Sequence, residues 1–276
     1  MEKIRTAIAK ARAERDATGA GILAPRKTAP ERTTVPDTVG ANWAALPIAT
    51  FDTDLMRRNR IVSFIRGPES ASIDMMRTRI MQQMRDNNWR RLAITSPTAA
   101  CGKSTIALNL AVSLTRQRDI RSLLLELDLR RPSLARMIGI NPRPVDFTEV
   151  LRGKASFAES AACFEGNLAV GSNSNKTRDT SELLSSAGVT DVLATIEADY
   201  QPDITIFDMP PMLAADDMMA FAAKVDCVLI IAVAEQTTTK EVDICEQELA
   251  RQTNVMGVVL NECRYMGREA NYGYYS

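Results

Sequence analysis

A short stretch of the chain carries residues that are suited to holding the phosphates of a nucleotide. Residues 96–105 read SPTAACGKST and lie between a predicted strand and a predicted helix. In such a loop the backbone N–H groups and the helix N-terminus form an anion site. The Lys103 ammonium would neutralise the β- and γ-phosphates, and the Ser104 hydroxyl would ligate Mg²⁺. The residues predicted to line the phosphates are Thr98, Ala99, Ala100, Cys101, Gly102, Lys103, Ser104 and Thr105.

Carboxylates at the ends of two other predicted strands suit the same chemistry. The motif ELDLRRP sets Glu126 and Asp128 two residues apart, which predicts that both side chains point to one side of a strand. The motif DMPP places Asp208 at the end of a further apolar strand. Buried carboxylates are costly unless they meet a cation, and Mg²⁺ at the phosphate loop is such a cation. A single strand-end acid more often caps the next helix, but the three motifs together favour a metal and nucleotide site.

Short apolar runs alternate with helical patterns through most of the chain. Near-continuous apolar strands are typical of a parallel sheet that is covered on both faces. We therefore predict an α/β fold of the P-loop NTPase type, with a doubly wound, mostly parallel sheet, helices on both faces and ligands at the carboxyl ends of the strands. The predicted strands are 91–96, 122–129, 168–172, 204–209, 227–234 and 256–261, and the predicted helices are 104–117, 180–200, 214–225 and 240–252.

The composition excludes several classes of site. The 276 residues include no histidine, which excludes Ser-His-Asp and Cys-His catalysis and His-ligated metal centres. The 5 cysteines are scattered, which is typical of reduced thiols in a reducing compartment. The 34 basic residues balance 34 acidic ones, so the charge gives no indication of a nucleic-acid partner. We expect a cytoplasmic protein, because no apolar run approaches the ~20 residues that would span a bilayer.

The sequence divides into four predicted segments. Apolar residues at helical spacing predict an N-terminal helix over 1–17, and the Gly-, Pro- and Thr-rich residues 18–50 predict a flexible linker. The globular P-loop domain is predicted over 51–262. Residues 263–276 form a tail that contains four of the 5 tyrosines, Tyr265, Tyr272, Tyr274 and Tyr275.

With these motifs the chain resembles the bacterial tyrosine kinases of capsule and exopolysaccharide synthesis, from about residue 55 to its end. The matching motifs are SPTAACGKST, ELDLRRP and DMPP, and Pro97 fits a family loop that often begins with Ser-Pro. The resemblance implies ATP and Mg²⁺ as cofactors and autophosphorylation of the tail tyrosines. It implies catalytic roles for Lys103, Glu126, Asp128 and Asp208, and a metal site of Ser104, Asp128 and Asp208. Arg130 is a candidate phosphate contact or a surface arginine, and Asn261 is a candidate adenine contact by analogy with the fold.

The resemblance also implies partners. A separate membrane-spanning polysaccharide co-polymerase would recruit the kinase to the inner face of the cytoplasmic membrane and activate it, and a second copy would be phosphorylated in trans. Two features depart from the family. Glu126 stands where an aspartate is usual, and the ring-forming motif E-x-x-R-x-x-R is reduced to Ala71, Asp74 and Arg77.

Two other functions stay open from the sequence. Partition and positioning ATPases share the fold but carry a second lysine early in the loop, where this chain has Thr98. The altered Ala71, Asp74 and Glu126 are also compatible with a nucleotide-binding regulator of weakened activity. The tail favours the kinase, because a mobile tyrosine cluster suits phosphorylation. The alternative for the tail is a short aromatic segment that packs on the domain or a partner.

Overall fold

The computed structural model describes residues 37–141 and 143–263. Its strands are β1 (Arg91–Thr95), β2 (Ser122–Glu126), β3 (Ala161–Phe164), β4 (Leu168–Gly171), β5 (Ile204–Asp208), β6 (Cys227–Val233) and β7 (Asn254–Asn261). Its helices are α1 (Asp37–Ala45), α2 (Thr53–Arg58), α3 (Ala71–Asn87), α4 (Lys103–Leu114), α5 (Leu134–Ile138), α6 (Phe147–Leu151), α7 (Phe157–Ser160), α8 (Thr180–Ser185), α9 (Ala187–Tyr200), α10 (Asp217–Phe221) and α11 (Thr239–Ala250). The predicted helix 1–17 lies outside the described residues.

The seven strands form one sheet in the order β3-β4-β2-β5-β1-β6-β7. All neighbouring strands are parallel except β3 and β4, which pair antiparallel. From β1 the chain runs to β2 and β4 on one side of the sheet, and from β5 it runs to β6 and β7 on the other side. The direction of the chain across the sheet therefore reverses at the neighbouring strands β1 and β5. In open sheets of this kind the crevice at such a reversal is where ligands bind.

Helices cover both faces of the sheet because alternate strand residues point to opposite sides. On one face Leu123, Leu125 and Phe207 pack with α1, α9 and α10. On the other face Leu124 and Ile206 pack with α3 and α4. The predicted α/β class with a doubly wound, mostly parallel sheet is confirmed.

The structure differs from the predicted elements at several places; for example, the predicted helix 180–200 is two helices, α8 and α9. Helix α1 and the residues up to 50 lie within the predicted 18–50 linker, yet Val39, Trp43 and Leu46 are buried in the core, so the packed region begins before residue 51. Strand β3 was not predicted. Strand β2 ends at Glu126 rather than at residue 129, so strand alternation does not extend to Asp128. Across the described residues, no helix combines the length and apolar character needed to cross a membrane.

Candidate active site

The phosphate loop connects β1 to α4 at the carboxyl edge of the sheet. Thr98, Ala99 and Ala100 are exposed, whereas Cys101 is buried. The Ser96 hydroxyl donates to the Thr98 carbonyl at 2.7 Å, which tightens the entry to the loop. Ala100 and Gly102 both have left-handed backbone, with φ of 64° and 83°. The N–H groups of residues 103–105 lie at the start of α4 and have no intrahelical acceptor, as at any helix start. They are available to a ligand in the loop.

Asn261, at the end of β7, binds the backbone of the phosphate loop through its side-chain amide. Its amide Nδ2 donates to the Cys101 carbonyl at 2.9 Å. A Cβ atom at Gly102 would lie 2.3 Å from the same nitrogen, so only glycine fits at this position. The adenine contact predicted for Asn261 stays a prediction, while the structure shows its amide bound to the phosphate loop.

Lys103 and Asp128 form a buried ion pair in the centre of the site. The Lys103 Nζ lies 2.6 Å from Asp128 Oδ2, and their side chains are 11% and 6% exposed. Burial opposes the charge of Lys103, but the negative charges of Asp208 and Asp128 outweigh it and raise the pKa of Lys103. The Asp208 carbonyl accepts the N–H groups of Leu127 and Asp128 at 2.9 and 3.0 Å. These two bonds join the ends of β2 and β5, which brings the two aspartates to one place.

The Asp208 carboxyl group is fully buried and has no hydrogen-bond partner at either oxygen among the described residues. Burial raises its pKa to about 6, with Lys103 and the Ser104 hydroxyl acting in the opposite direction and Asp128 in the same one. Ser104 faces this carboxyl group without reaching hydrogen-bond geometry. Buried oxygens without a protein partner are rare, and many of those that occur in proteins bind an ion or an ordered water.

The residues present fit a magnesium ion held jointly with nucleotide phosphates. The described part of the chain contains no cluster of three or more His, Cys, Asp or Glu that could hold a metal by itself. Ser104, Asp128 and Asp208 supply oxygen donors, and Mg²⁺ commonly takes one or two carboxylates together with phosphates and water. A cavity of about 250 Å³ opens onto Lys103 and Asp128, with Arg130 and Pro211 in its wall.

Both carboxylate oxygens of Glu126 accept backbone N–H groups, and its catalytic role stays a prediction. Its Oε1 accepts the N–H groups of Ser133 and Leu134 at 2.5 and 2.8 Å, and its Oε2 accepts the N–H of Asn173 at 2.7 Å. Burial raises the pKa of Glu126 to about 7 although these three donors favour the carboxylate. Because both oxygens are occupied by backbone, the geometry supports a positioning role at the start of α5. The helix-capping alternative considered for strand-end acids is what the structure shows for Glu126.

Arg130 is held by a buried aspartate that the sequence motifs did not indicate. Its Nε and Nη2 donate to Asp217 Oδ2 and Oδ1 at 2.7 and 3.2 Å, and Asp217 is 1% exposed. The Thr180 hydroxyl donates to the same carboxylate at 2.5 Å. This pairing spans 87 residues of sequence, so spacing could not reveal it. A phosphate contact by Arg130 stays a prediction, since about half of the side chain is exposed towards the cavity.

The two positions of the altered ring motif that carry charge are bound within the chain. Asp74 accepts from Arg77 Nη1 at 3.1 Å and from Arg116 Nη2, and Arg77 also donates to the Ser113 carbonyl at 3.0 Å. Asp74 therefore fastens α3 to the end of α4. The four tail tyrosines proposed as phosphate acceptors, Tyr265, Tyr272, Tyr274 and Tyr275, lie outside the described residues.

A sequence model of the ParA family, described as NUBPL iron-transfer P-loop NTPase, matches residues 88–274. The chain belongs to the ParA family of P-loop NTPases. The match covers the phosphate loop, both aspartate-bearing strand ends and β7. The matched range therefore includes every residue that this site offers to a nucleotide or a metal.

Individual relatives within this fold carry kinase names. The chain is 29% identical over 224 residues to tyrosine-protein kinase YwqD of Bacillus subtilis (strain 168), covering 79% of this chain and 92% of that protein. It is 28% identical over 214 residues to the succinoglycan biosynthesis transport protein ExoP of Rhizobium meliloti (strain 1021), covering 75% of this chain but 26% of ExoP. The crystal structure of the VpsO kinase domain aligns with a TM-score of 0.62 and 28% identity, covering 78% of this chain and all of that one. The resemblance to bacterial tyrosine kinases is confirmed.

Proposed function

We propose that the protein is an ATP-dependent tyrosine kinase that phosphorylates its own tail and acts in exopolysaccharide or capsule synthesis. The observation that carries the proposal is the ion pair of Lys103 and Asp128 in the wall of one cavity, with the unpaired carboxyl group of Asp208 buried close enough to Lys103 to raise the pKa of that lysine. Relatives named tyrosine-protein kinases, and one named for succinoglycan biosynthesis, support the acceptor and the pathway class.

The site residues have distinct tasks in this reaction. The phosphate loop and the start of α4 bind the ATP phosphates, and Lys103 neutralises their charge. Ser104, Asp128 and Asp208 would hold Mg²⁺, which when bound screens the phosphate charge. A carboxylate of Asp128 or Asp208 that is not engaged with metal orients the attacking tyrosine hydroxyl. The phenolic oxygen forms a bond to the γ-phosphorus while the bond from that phosphorus to the ADP oxygen breaks, ADP leaves, and the phenolic proton passes through that carboxylate to solvent. Catalysis then consists mainly of positioning and charge neutralisation.

The proposed partners follow from the same relatives. A membrane-spanning polysaccharide co-polymerase would bring the kinase to the inner face of the cytoplasmic membrane and activate it. The tail tyrosines would be phosphorylated by a second copy of the chain. Because Arg77 is bound to Asp74 and Ser113 within the chain, this encounter need not use the ring contact of the family.

Mass spectrometry after incubation with Mg·ATP tests the proposal. We expect phosphate on Tyr265, Tyr272, Tyr274 or Tyr275 in the wild-type chain, and none in the Lys103→Met variant. A wild-type tail without phosphate, even with the cytoplasmic segment of the membrane partner present, would refute the kinase.

The second candidate function is a positioning ATPase, which is compatible with membership of the ParA family of P-loop NTPases. ATP hydrolysis without phosphotyrosine in the same experiment would establish it. Nucleotide binding without turnover would instead indicate a regulator of weakened activity.

A further inference from the structure

A second cavity lies beside the nucleotide cavity, beyond the carboxyl end of β4. It has a volume of about 600 Å³ and is formed by residues 143–152 and by the loop 174–179 that leads into α8. The two cavities share no lining residue. The Thr177 N–H donates to the Leu129 carbonyl at 2.9 Å, so the wall of the second cavity is bonded directly to the segment that carries Arg130.

Three cations that are unpaired in the described structure distinguish this cavity, which we name the basic cavity after Arg143, Lys176 and Arg178. None of these three cations has an ion-pair partner within the described ranges of the chain. The fourth cation of the wall, Arg152, is paired with Glu149 at 2.7 Å.

Two of the acids in the wall already have partners within the chain. The Asp146 carboxylate accepts the N–H groups of Ser174 and Asn175 at 2.7 and 3.1 Å and the Asn175 amide at 2.9 Å. Glu149 is paired with Arg152 and Lys154. With Asp179 the described wall holds three carboxylates against four cations, a net charge of +1, and Asp146 keeps its charge because its donors are neutral.

Arg143 lines the basic cavity and has a hydrogen-bond donor that is unsatisfied within the described chain. Its Nε is buried and has no hydrogen-bond partner among the described residues. A buried donor without an acceptor destabilises the ligand-free fold, whereas the remaining guanidinium N–H groups of Arg143 can donate to an anion in the cavity. Guanidinium groups match the geometry of phosphate oxygens in paired hydrogen bonds, and the lysine adds a point charge.

We propose that the basic cavity binds a phosphate monoester, and that this ester is a phosphotyrosine of the tail, residues 263–276. The proposal rests on the proposed kinase function. A tyrosine phosphorylated at the nucleotide cavity carries its new phosphate beside the basic cavity. Before phosphorylation, Arg264, Arg268 and Glu269 leave the tail side chains without excess negative charge. Each phosphate adds a charge of about −1.5 to −2, so the basic cavity distinguishes the product from the substrate.

Fluorescence anisotropy with labelled tail peptides tests the proposal. The protein is the full chain with its four tail tyrosines changed to phenylalanine, so that its own tail cannot be phosphorylated. A peptide of residues 263–276 phosphorylated on Tyr274 should bind saturably at about 0.15 M salt. We expect the same peptide without phosphate to bind at least tenfold more weakly.

Paired substitutions locate the binding. Lys176→Ser combined with Arg178→Ser should weaken binding of the phosphopeptide at least tenfold. Arg58→Ser combined with Lys240→Ser removes the same charge from exposed positions elsewhere and should leave the affinity within about twofold. Thermal melts of both variants verify folding. Equal weakening by the two pairs would show that the peptide senses only net charge, which would overturn the proposal.

A further arm separates the possible sources of the phosphate. Glucose 1-phosphate that binds while the phosphopeptide does not would identify a free sugar phosphate as the ligand and overturn the assignment to the tail. Because the peptide is supplied already phosphorylated, failure to bind leaves the kinase proposal standing. A tail that is never phosphorylated by the chain would refute the kinase without changing the binding result.

Discussion

The carboxyl group of Asp208 is buried at the end of β5 with neither oxygen bonded to a described residue. Its pKa is raised to about 6 from 3.8, so the folded state binds this proton more tightly than the unfolded state. The resulting stabilisation is fully present below pH ~4 and is lost as the pH rises through ~6. At neutral pH the ligand-free fold therefore holds a carboxylate at a cost.

We expect Asp208→Asn to stabilise the ligand-free chain by about 1–3 kcal/mol at pH 8, because the amide removes a buried charge. The gain should shrink as the pH falls below about 6 and approach zero at pH 4, near the unfolded pKa of 3.8, because Asp208 is then protonated in the folded state and about half protonated in the unfolded state. Urea denaturation in EDTA at both pH values measures this gain in the free energy of unfolding. The variant should also lose Mg-dependent nucleotide binding. Asp226→Asn is the control, because Asp226 accepts the N–H groups of Arg90 and Arg91 and its loss should destabilise. A gain independent of pH would contradict the argument.

Removing the charge of Glu126 should destabilise the fold, whereas removing the charge of Asp208 should stabilise it. In Glu126→Gln an NH₂ group must face a backbone N–H that the carboxylate now accepts, so we expect about 1–3 kcal/mol of destabilisation by urea denaturation. The folded variant should bind Mg·ATP within about threefold of wild type, since a Glu126 oxygen is not left for the nucleotide. Glu246→Gln, at an exposed position of α11, should change neither property. Unchanged stability with lost tail phosphorylation would make Glu126 a catalytic residue.

At the scale of elements, the phosphate loop depends on its fit against the end of β7. Gly102→Ala would force a methyl group to within 2.3 Å of Asn261 Nδ2 at a φ of 83°. We expect the variant to lose at least tenfold in nucleotide affinity, measured by calorimetry, and to melt at a lower temperature. Gly40→Ala is the matched control, because a Cβ there has nothing within 4 Å and lies in α1, so it should be neutral or slightly stabilising. Equal nucleotide affinity in both variants would show that the loop tolerates the displacement.

The central strands could be predicted from the sequence because each is buried on both faces and reads as a continuous apolar run. Strand β3 could not, since its four residues AACF are too short and too small to show a period. Helix α1 could not be predicted because it lies among Gly- and Pro-rich residues, although Val39 and Trp43 have helical spacing. These residues gain their burial only by packing on α9 and the sheet.

The same limit applies to the candidate site. The order of the three motifs predicted the meeting of Lys103, Asp128 and Asp208, because parallel strands end at one edge. It could not separate Glu126 from Asp128, since the different directions of these side chains follow from where β2 ends. The Arg130 contact with Asp217 depends on tertiary packing and left no local pattern.

At the scale of the whole molecule, residues 37–50 close one edge of the fold. Trp43 Nε1 donates to the Tyr200 carbonyl at 2.7 Å, and the two rings pack edge to face at 6.0 Å. The Cys163 N–H donates to the Pro47 carbonyl and the Ala49 N–H donates to the Cys163 carbonyl, at 2.8 and 2.9 Å. These bonds cover the outer side of β3, which would otherwise be an unpaired strand edge.

Two truncations test whether this segment is part of the folded domain. A chain that begins at Asp37 keeps every contact among the described residues, so we expect it to fold and to unfold cooperatively in urea. A chain that begins at Phe51 loses buried Val39, Trp43 and Leu46 and opens the β3 edge, so it should lose at least about 3–5 kcal/mol or aggregate. Trp43→Ala in the full chain should lose a similar amount, and Trp89→Ala, at a less buried position, should lose less. If the chain beginning at Phe51 unfolds at the same urea concentration as the one beginning at Asp37, residues 37–50 add nothing to stability and the domain begins where the sequence predicted.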